Sequence, residues 1–322
     1  MSASGVLAAG ALFAGPVQAF FAPVDRVIGM PVAFDPAEIG GFRLDSPPAG
    51  WLRGGAIANW KRSLAGEMSP VWSGAPAMAK SQARSKVDEV VEFAFAGWTR
   101  LAVALSSGTQ TMNLLQTAQG AVANVSGGAA AVAEVVGDGS TATELQLGAN
   151  TAVQAGDVVV VDVDYAGETG YVGSGGADSY VSSAQAIEDV NYVRRVSLNV
   201  ARVLNVSDGI VTLAAPLPAG APKAGMKLSV VKGFTDRNGG SFVPEWSALF
   251  VVDGLQGDRL LLHYPRLQPA GVAEAETVTE IATGVSRWRA AAKMRALPVV
   301  DATDGVSAVC FRSYLPAAMR QV

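Results

Sequence analysis

The sequence predicts a mainly β protein, a β-sandwich or barrel-type domain with one short α-helix, interrupted by an inserted small β domain. Three observations carry that expectation. Apolar residues recur at every second position in several stretches, as strands with one buried face require. Asp-Gly pairs at 208, 253 and 304 punctuate those stretches as turns. Only one stretch switches clearly to helical spacing.

The chain opens with an almost uncharged segment from Val6 to Pro23, in which Val17-Gln18-Ala19 resembles a signal-peptidase site. No Lys or Arg precedes Arg26, and Gly10, Gly15 and Pro16 interrupt the segment, which is short for a membrane span. An apolar arm that docks on a neighbouring subunit is the expected role, with strand potential in Val17 to Val24. A Pro/Gly-rich connection follows around Asp45 to Gly54.

The first strong strand places Val87, Glu89, Val91, Phe93 and Phe95 on one face. At Gly97 the period changes, and Trp98, Leu101, Ala102 and Leu105 recur at helical spacing up to a stop at Gly108. From Ala118 to Gly139 the chain is Ala/Gly-rich and reads as a linker.

Residues 140–233 are expected to form the inserted domain. Val158 to Val161 is a continuous valine run suited to a strand buried on both faces. Val196, Leu198, Val200, Leu204 and Val206 are expected along one strand face, and Asp208-Gly209 turns the chain into Ile210, Val211 and Leu213. Lys227 to Val231 supplies a closing strand. This block holds nine acids and six bases, most of the chain's excess negative charge.

The remaining core is assigned to residues 1–139 and 234–322. Trp246, Ala248, Phe250 and Val252 alternate, then Leu260, Leu262 and Tyr264. In Ser286 to Ala296, Trp288, Ala290, Ala292 and Met294 share one face, while Arg287, Arg289, Lys293 and Arg295 share the other. Intersubunit salt bridges are the expected use of that basic face. Val306 to Arg312 closes the sheet after Asp304-Gly305.

Composition narrows the chemistry. At 322 residues the chain can bury roughly 75% of its unfolded surface without disulfides or metals. Charged residues make up 16%, against about 25% in an ordinary soluble domain. The mean hydropathy is +0.29. So sparse a charged surface fits an obligate assembly better than a free enzyme. Cys310 and His263 are the sole cysteine and histidine, so histidine pairs, thiolate clusters and intramolecular disulfides are excluded. Gly173-Ser174-Gly175-Gly176 is short of a dinucleotide fingerprint, and no phosphate-loop Gly-Lys-Ser/Thr occurs. Asp162 and Asp164 share a strand face and are the weak candidates for a hard cation, but Tyr165, Ala166 and Gly167 do not complete a calcium loop. His263 reads as a packed histidine and Cys310 as an inert thiol. No enzymatic activity and no cofactor are expected.

The layout resembles the major tail-tube proteins of long-tailed bacteriophages. The parallels are the arm Ser2 to Val24, a long loop Trp51 to Lys86, the strand-helix pair Val87 to Ser106, the insertion 140–233 and the strands of Trp246 to Tyr314. Segment texture, as in FDPAEIGGFRLDSPPAGW and GDRLLLHYPRLQP, is similar too. The resemblance implies a homo-oligomer of hexameric rings stacked into a tube in the virion tail, assembled in the host cytoplasm. Its partners would be itself, other tail proteins and the genomic DNA that passes through the lumen without sequence-specific binding; no membrane span is implied. Phe20, Phe21, Trp51, Trp60, Trp72, Arg287, Arg289, Lys293 and Arg295 are the expected interface residues. A net charge of −4 suits a conduit that must not hold a polyanion.

Two other classes stay open. A carbohydrate-binding or adhesion module would use exposed aromatics of the insertion, where Tyr165, Tyr171, Tyr180 and Tyr192 are scattered. A β-rich hydrolase would need a carboxylate pair across a cleft.

Overall fold

The computed structural model describes residues 15–24, 34–37, 47, 51–107, 110–116, 119–120, 132–162, 199–218, 220–237, 245–255, 257–271 and 276–316. Strands account for 60% and helix for 4%, so the protein is mainly β. In chain order the early elements are β1 (Val17–Pro23), β2 (Leu52–Ser73), β3 (Met78–Phe95), α1 (Arg100–Ser107), β4 (Gln110–Leu115), β5 (Glu134–Val135), β6 (Glu144–Gln146) and β7 (Val158–Asp162). Next come β8 (Val200–Ser207), β9 (Ile210–Leu213), β10 (Lys227–Arg237), β11 (Trp246–Asp253) and β12 (Arg259–Pro269). The last are β13 (Glu276–Ala282), β14 (Val285–Ala296), β15 (Val299–Val300), β16 (Ser307–Ala308) and β17 (Phe311–Leu315).

The chain divides into two compact units. The first comprises Met1–Ala19, Gly54–Ser107 and Ala248–Val322, and the second Phe20–Arg53 and Gly108–Ser247. An interrupted core was expected, but the limits differ from 140 and 233. The reason lies in β10, which pairs with β7 through Lys227 to Val231 and continues past Gly233 to pair with β4. A boundary at residue 233 would cut one continuous strand.

The first unit holds the eight-stranded sheet β13-β14-β3-β2-β1-β11-β12-β17, with β1, β2 and β11 running across the unit limits. A further pairing of β12 with β14 closes the path β14-β3-β2-β1-β11-β12 on itself. That closure removes free edges from six strands, the barrel solution to edge exposure. Inside it, Phe250 meets Phe93 at 5.4 Å, Tyr264 at 5.9 Å and Trp60 at 6.1 Å between ring centroids. The expected helix forms but begins at Arg100, leaving Trp98 outside it: the Thr99 hydroxyl accepts the Ala102 amide at 3.1 Å as an N-cap, and Ala102, Val103 and Leu105 are buried.

In the second unit the path is β4-β10-β7-β8-β9-β6, with β5 on β10. The valine run behaves as expected. Val159 and Val161 join a core with Leu145, Val203, Val211 and Leu228, while Val160 packs with Leu115 on the opposite face. Asp208 (φ 51°) and Gly209 (φ 79°) form the expected tight turn, and a Cβ at Gly209 would lie 2.8 Å from the Leu147 carbonyl oxygen. The expected face of β8 is corrected: Leu204 is exposed, whereas Ala201, Val203 and Val206 face the core. A register shift between Val203 and Asn205 changes the parity there. Val196 and Leu198 lie outside the described residues.

The arm expected over Ser2 to Val24 lies partly outside the described residues, which begin at residue 15; its later part forms the expected strand, but in a different setting. Val17 to Pro23 is the strand β1, between β2 and β11, and Phe20 and Phe21 are fully buried. These residues belong to the protomer's own core rather than to a free docking segment.

Candidate assembly surface

The segment expected as a long loop, Trp51 to Lys86, is instead most of a hairpin. β2 is 22 residues long and β3 is 18, far beyond the ordinary strand of about 5–6 residues. Only the part near the barrel is sandwiched by other strands. From Leu64 to Ser73 and from Met78 to Val87 every residue is exposed, so this stretch is a ribbon solvated on both faces. At about 3.3 Å per residue its ten-residue arms project roughly 30 Å.

A bulge sets which side chains the ribbon shows. Asn59, at φ 54°, lies in the two-residue stretch of β2 that opposes Phe93 alone. Asn is among the few residues that enter this left-handed region readily. Before the bulge the odd position Ile57 faces the core; after it the even positions Trp60 and Arg62 do, and Lys61 is turned outward. The same parity carried outward places Leu64, Met68 and Trp72 on the continuation of the core-facing side. They are 51%, 51% and 63% exposed. The barrel's apolar inner face thus runs on along the ribbon, where among the described residues it stays exposed.

At the root of the ribbon sits a buried charge cluster. Glu89 is 1% exposed and accepts a bidentate pair of hydrogen bonds from Arg62, one from Nε and one from Nη2 at 2.9 Å. The Tyr264 hydroxyl donates to the same carboxylate at 2.7 Å. The carboxylate raises the Arg62 pKa further, chiefly through the hydrogen bond. Burial is the main reason the Tyr264 pKa is raised. The neighbouring Cys310 thiol is pushed up to about 11, chiefly by burial, which keeps it protonated and fits the expected inert thiol. Spacing alone could not reveal this cluster, because Glu89 is separated by 27 residues from Arg62 and by 175 from Tyr264.

The second hairpin, β13 and β14, escaped the sequence reading in its first strand. Thr283-Gly284, flanked by Val278, Ile281 and Val285, was the available signal, and Gly284 takes φ 74° in the turn. As predicted, Ala290, Ala292 and Met294 face inward and are buried. Trp288, next along that face, is half exposed and meets Trp98 edge-on at 6.4 Å. The Trp98 indole donates to Glu276 at 2.6 Å. Val278, opposite Trp288, is also exposed.

A comparison with models of known protein families gives no match, and a comparison with curated proteins gives none either. The residues themselves therefore carry the functional argument.

The remaining expected residues are placed as follows. Trp51 is buried, 6.3 Å edge-on from Phe34, and Trp60 packs on Phe250, so neither is offered as a surface anchor. Trp72 alone of the three sits on the exposed ribbon. The basic face of β14 finds its acids within the protomer: Lys293 pairs with Glu92 at 3.0 Å and Arg295 with Asp88 at 3.1 Å, both on β3. Arg287 donates to the Ala96 carbonyl at 3.2 Å, and Arg289 lies opposite Thr277. Partially exposed pairs of this kind contribute little, about 0–1 kcal/mol each. The backbone of Asp162 ends β7 opposite Lys227, and Asp164 lies outside the described residues, as do Tyr165, Tyr171, Tyr180 and Tyr192. Among the described residues no group of three or more potential ligands is gathered for a metal. No helix in the described residues is long and apolar enough to cross a membrane.

His263 is 8% exposed and stacks on Phe311, its ladder partner, at 6.2 Å. Burial lowers its pKa to about 4 from the usual 6.5. The native state thus holds a neutral ring where the unfolded chain takes up a proton below pH 6.5. Stability from this group is complete above pH 6.5 and falls until pH 4, by roughly 3 kcal/mol in all. His263→Gln should flatten this acid limb. Urea midpoints at pH 7 and pH 4.5 check it; equal drops in both proteins would remove His263 as the cause.

Proposed function

We propose that this chain is a non-catalytic structural subunit that polymerises as stacked rings into a bacteriophage tail tube, a conduit for DNA. The observation that carries the reading is the β2–β3 ribbon. A two-stranded hairpin is at best marginally stable alone in water, and this one displays Leu64, Met68 and Trp72 along one side. Such a ribbon gains its order from a surface it covers. Assembly with like copies explains both its length and its apolar side.

The charge pattern supports the conduit. Lys293 and Arg295 are neutralised by Glu92 and Asp88, which leaves no continuous basic stripe on that face to bind phosphates. With a net charge of −4, the chain lacks the cationic excess through which proteins hold DNA nonspecifically.

Negative-stain microscopy and sedimentation of the purified chain test the reading. Rings, stacks or filaments are the expected species. Compact monomers persisting at high concentration, with or without other tail components, would overturn it.

A further inference from the structure

The β13–β14 hairpin sorts its side chains more sharply than its composition shows. Between Glu276 and Ala290 it holds two acids, Glu276 and Glu280, and two bases, Arg287 and Arg289, so its net charge is zero. The ladder separates them. Glu276 lies opposite Ala290, Val278 opposite Trp288 and Glu280 opposite Ser286, and directly opposed residues share a face. The pairs Thr277 with Arg289 and Thr279 with Arg287 make up the other face. One side of the hairpin therefore carries both carboxylates with Trp288 and none of its bases. The other carries both guanidinium groups, and Arg287 is engaged there by the Ala96 carbonyl at 3.2 Å.

Trp98 joins the acidic side. Its ring stands at 73° to that of Trp288 with centroids 6.4 Å apart, and its indole donates to Glu276 at 2.6 Å. Trp98 is 41% exposed and Trp288 50%. Two ring planes set near a right angle leave a corner in which one group can lie within about 6 Å of both centroids, the reach of a cation–π contact. The Glu276 carboxylate orients the Trp98 ring and places a negative charge at its edge. Glu280, which accepts the Gly284 amide at 3.2 Å, adds a second charge on the same face. A neutral apolar group would use the rings and leave the carboxylates unanswered, and an anion would be repelled. A cation with an apolar shell uses both.

We propose that Trp98, Trp288 and Glu276 form a binding site for a small, soluble quaternary-ammonium compound of the choline type. The methyl groups pack on the indoles, and the charge is drawn by the ring faces and by the two carboxylates. All of these groups lie within the first unit of a single protomer, so the inference does not depend on the self-assembly reading.

Tryptophan fluorescence of the intact chain, titrated with choline, tests it. The control is dimethylbutanol, the uncharged compound of the same shape in which carbon replaces the ammonium nitrogen. Choline should give a saturable response and bind roughly tenfold more tightly than the alcohol. Trp288→Ala should abolish that response. Glu276→Gln keeps an acceptor for the Trp98 indole but loses the charge, so it should weaken choline about fivefold and leave the alcohol unchanged. Trp288 and Glu276 are exposed, and unaltered thermal unfolding checks that both variants are folded. Phosphatidylcholine vesicles present the same ammonium beside a phosphate, which the acidic face repels, so the chain should not float with them. Equal affinity for choline and the alcohol would reduce the site to an apolar patch. An unchanged titration in Trp288→Ala would put the binding elsewhere, and flotation with vesicles would replace the soluble cation by a lipid surface. A response to methyl glucoside but not to choline would make the two rings a sugar platform. Each of these results, like the absence of saturable choline binding, overturns the proposal.

Discussion

Replacing Glu89 with alanine is expected to cost about 3–5 kcal/mol of folding stability, the range for removing one partner of a buried ion pair. The carboxylate is 1% exposed and takes three hydrogen bonds, two from Arg62 and one from Tyr264. Its loss leaves the fully buried Tyr264 phenol and the Arg62 guanidinium, which is 23% exposed, without their shared acceptor. A domain stable by about 5–15 kcal/mol would lose much of its margin. Urea denaturation reads the effect as a lowered midpoint at constant slope. The companion double variant, Arg62→Met with Glu89→Leu, removes both charges together and should recover most of the loss. A cost below about 1 kcal/mol for Glu89→Ala would mean that the cluster is hydrated and does not anchor the ribbon's root.

Closing the hairpin early should separate assembly from folding. Ala65 and Asp88 are ladder partners, so replacing residues 66–87 with Asn-Gly gives a short hairpin with an accepted two-residue turn. Every residue removed is exposed in the protomer. Thermal stability should therefore shift by no more than a few degrees, while the protein sediments as a monomer at concentrations where the full chain forms higher species. Retained polymerisation would show that the ribbon is not the connector. Unfolding would show that it belongs to the core.

Much of the fold was legible where one physical cause acted alone. The valines at 158–161 pack on both faces of β7, and Asp208-Gly209 can hardly be anything but a turn. The alternation of Trp288 to Met294 against the basic residues survived because that stretch keeps one parity throughout. β2 was missed because its distal half is wet on both sides. Ser63, Gly66, Ser69 and Pro70 then carry no alternation to detect, and a strand looks like a loop. Leu204 was misplaced by a single register shift. The Arg62–Glu89–Tyr264 cluster depends on three strands meeting, so local spacing contains no trace of it. The expected interface set mixes buried and exposed aromatics for a related reason. Sequence distinguishes an aromatic residue from a polar one, but not a core aromatic such as Phe20 or Trp51 from an exposed one such as Trp72.

The ribbon's irregular ladder has a consequence for the chain before it assembles. Beyond the barrel, Pro70 supplies no amide donor, and register shifts occur between Glu67 and Met68 and between Val71 and Trp72. Lys80, Arg84 and Lys86 are spread along the other arm. These are the devices by which natural sheets resist edge-to-edge addition of stray strands. A newly made copy can thus display Met68, Val71 and Trp72 in water without offering a straight template for fibrillar growth. The ribbon stays adhesive through its side chains while its backbone is a poor seed for amyloid.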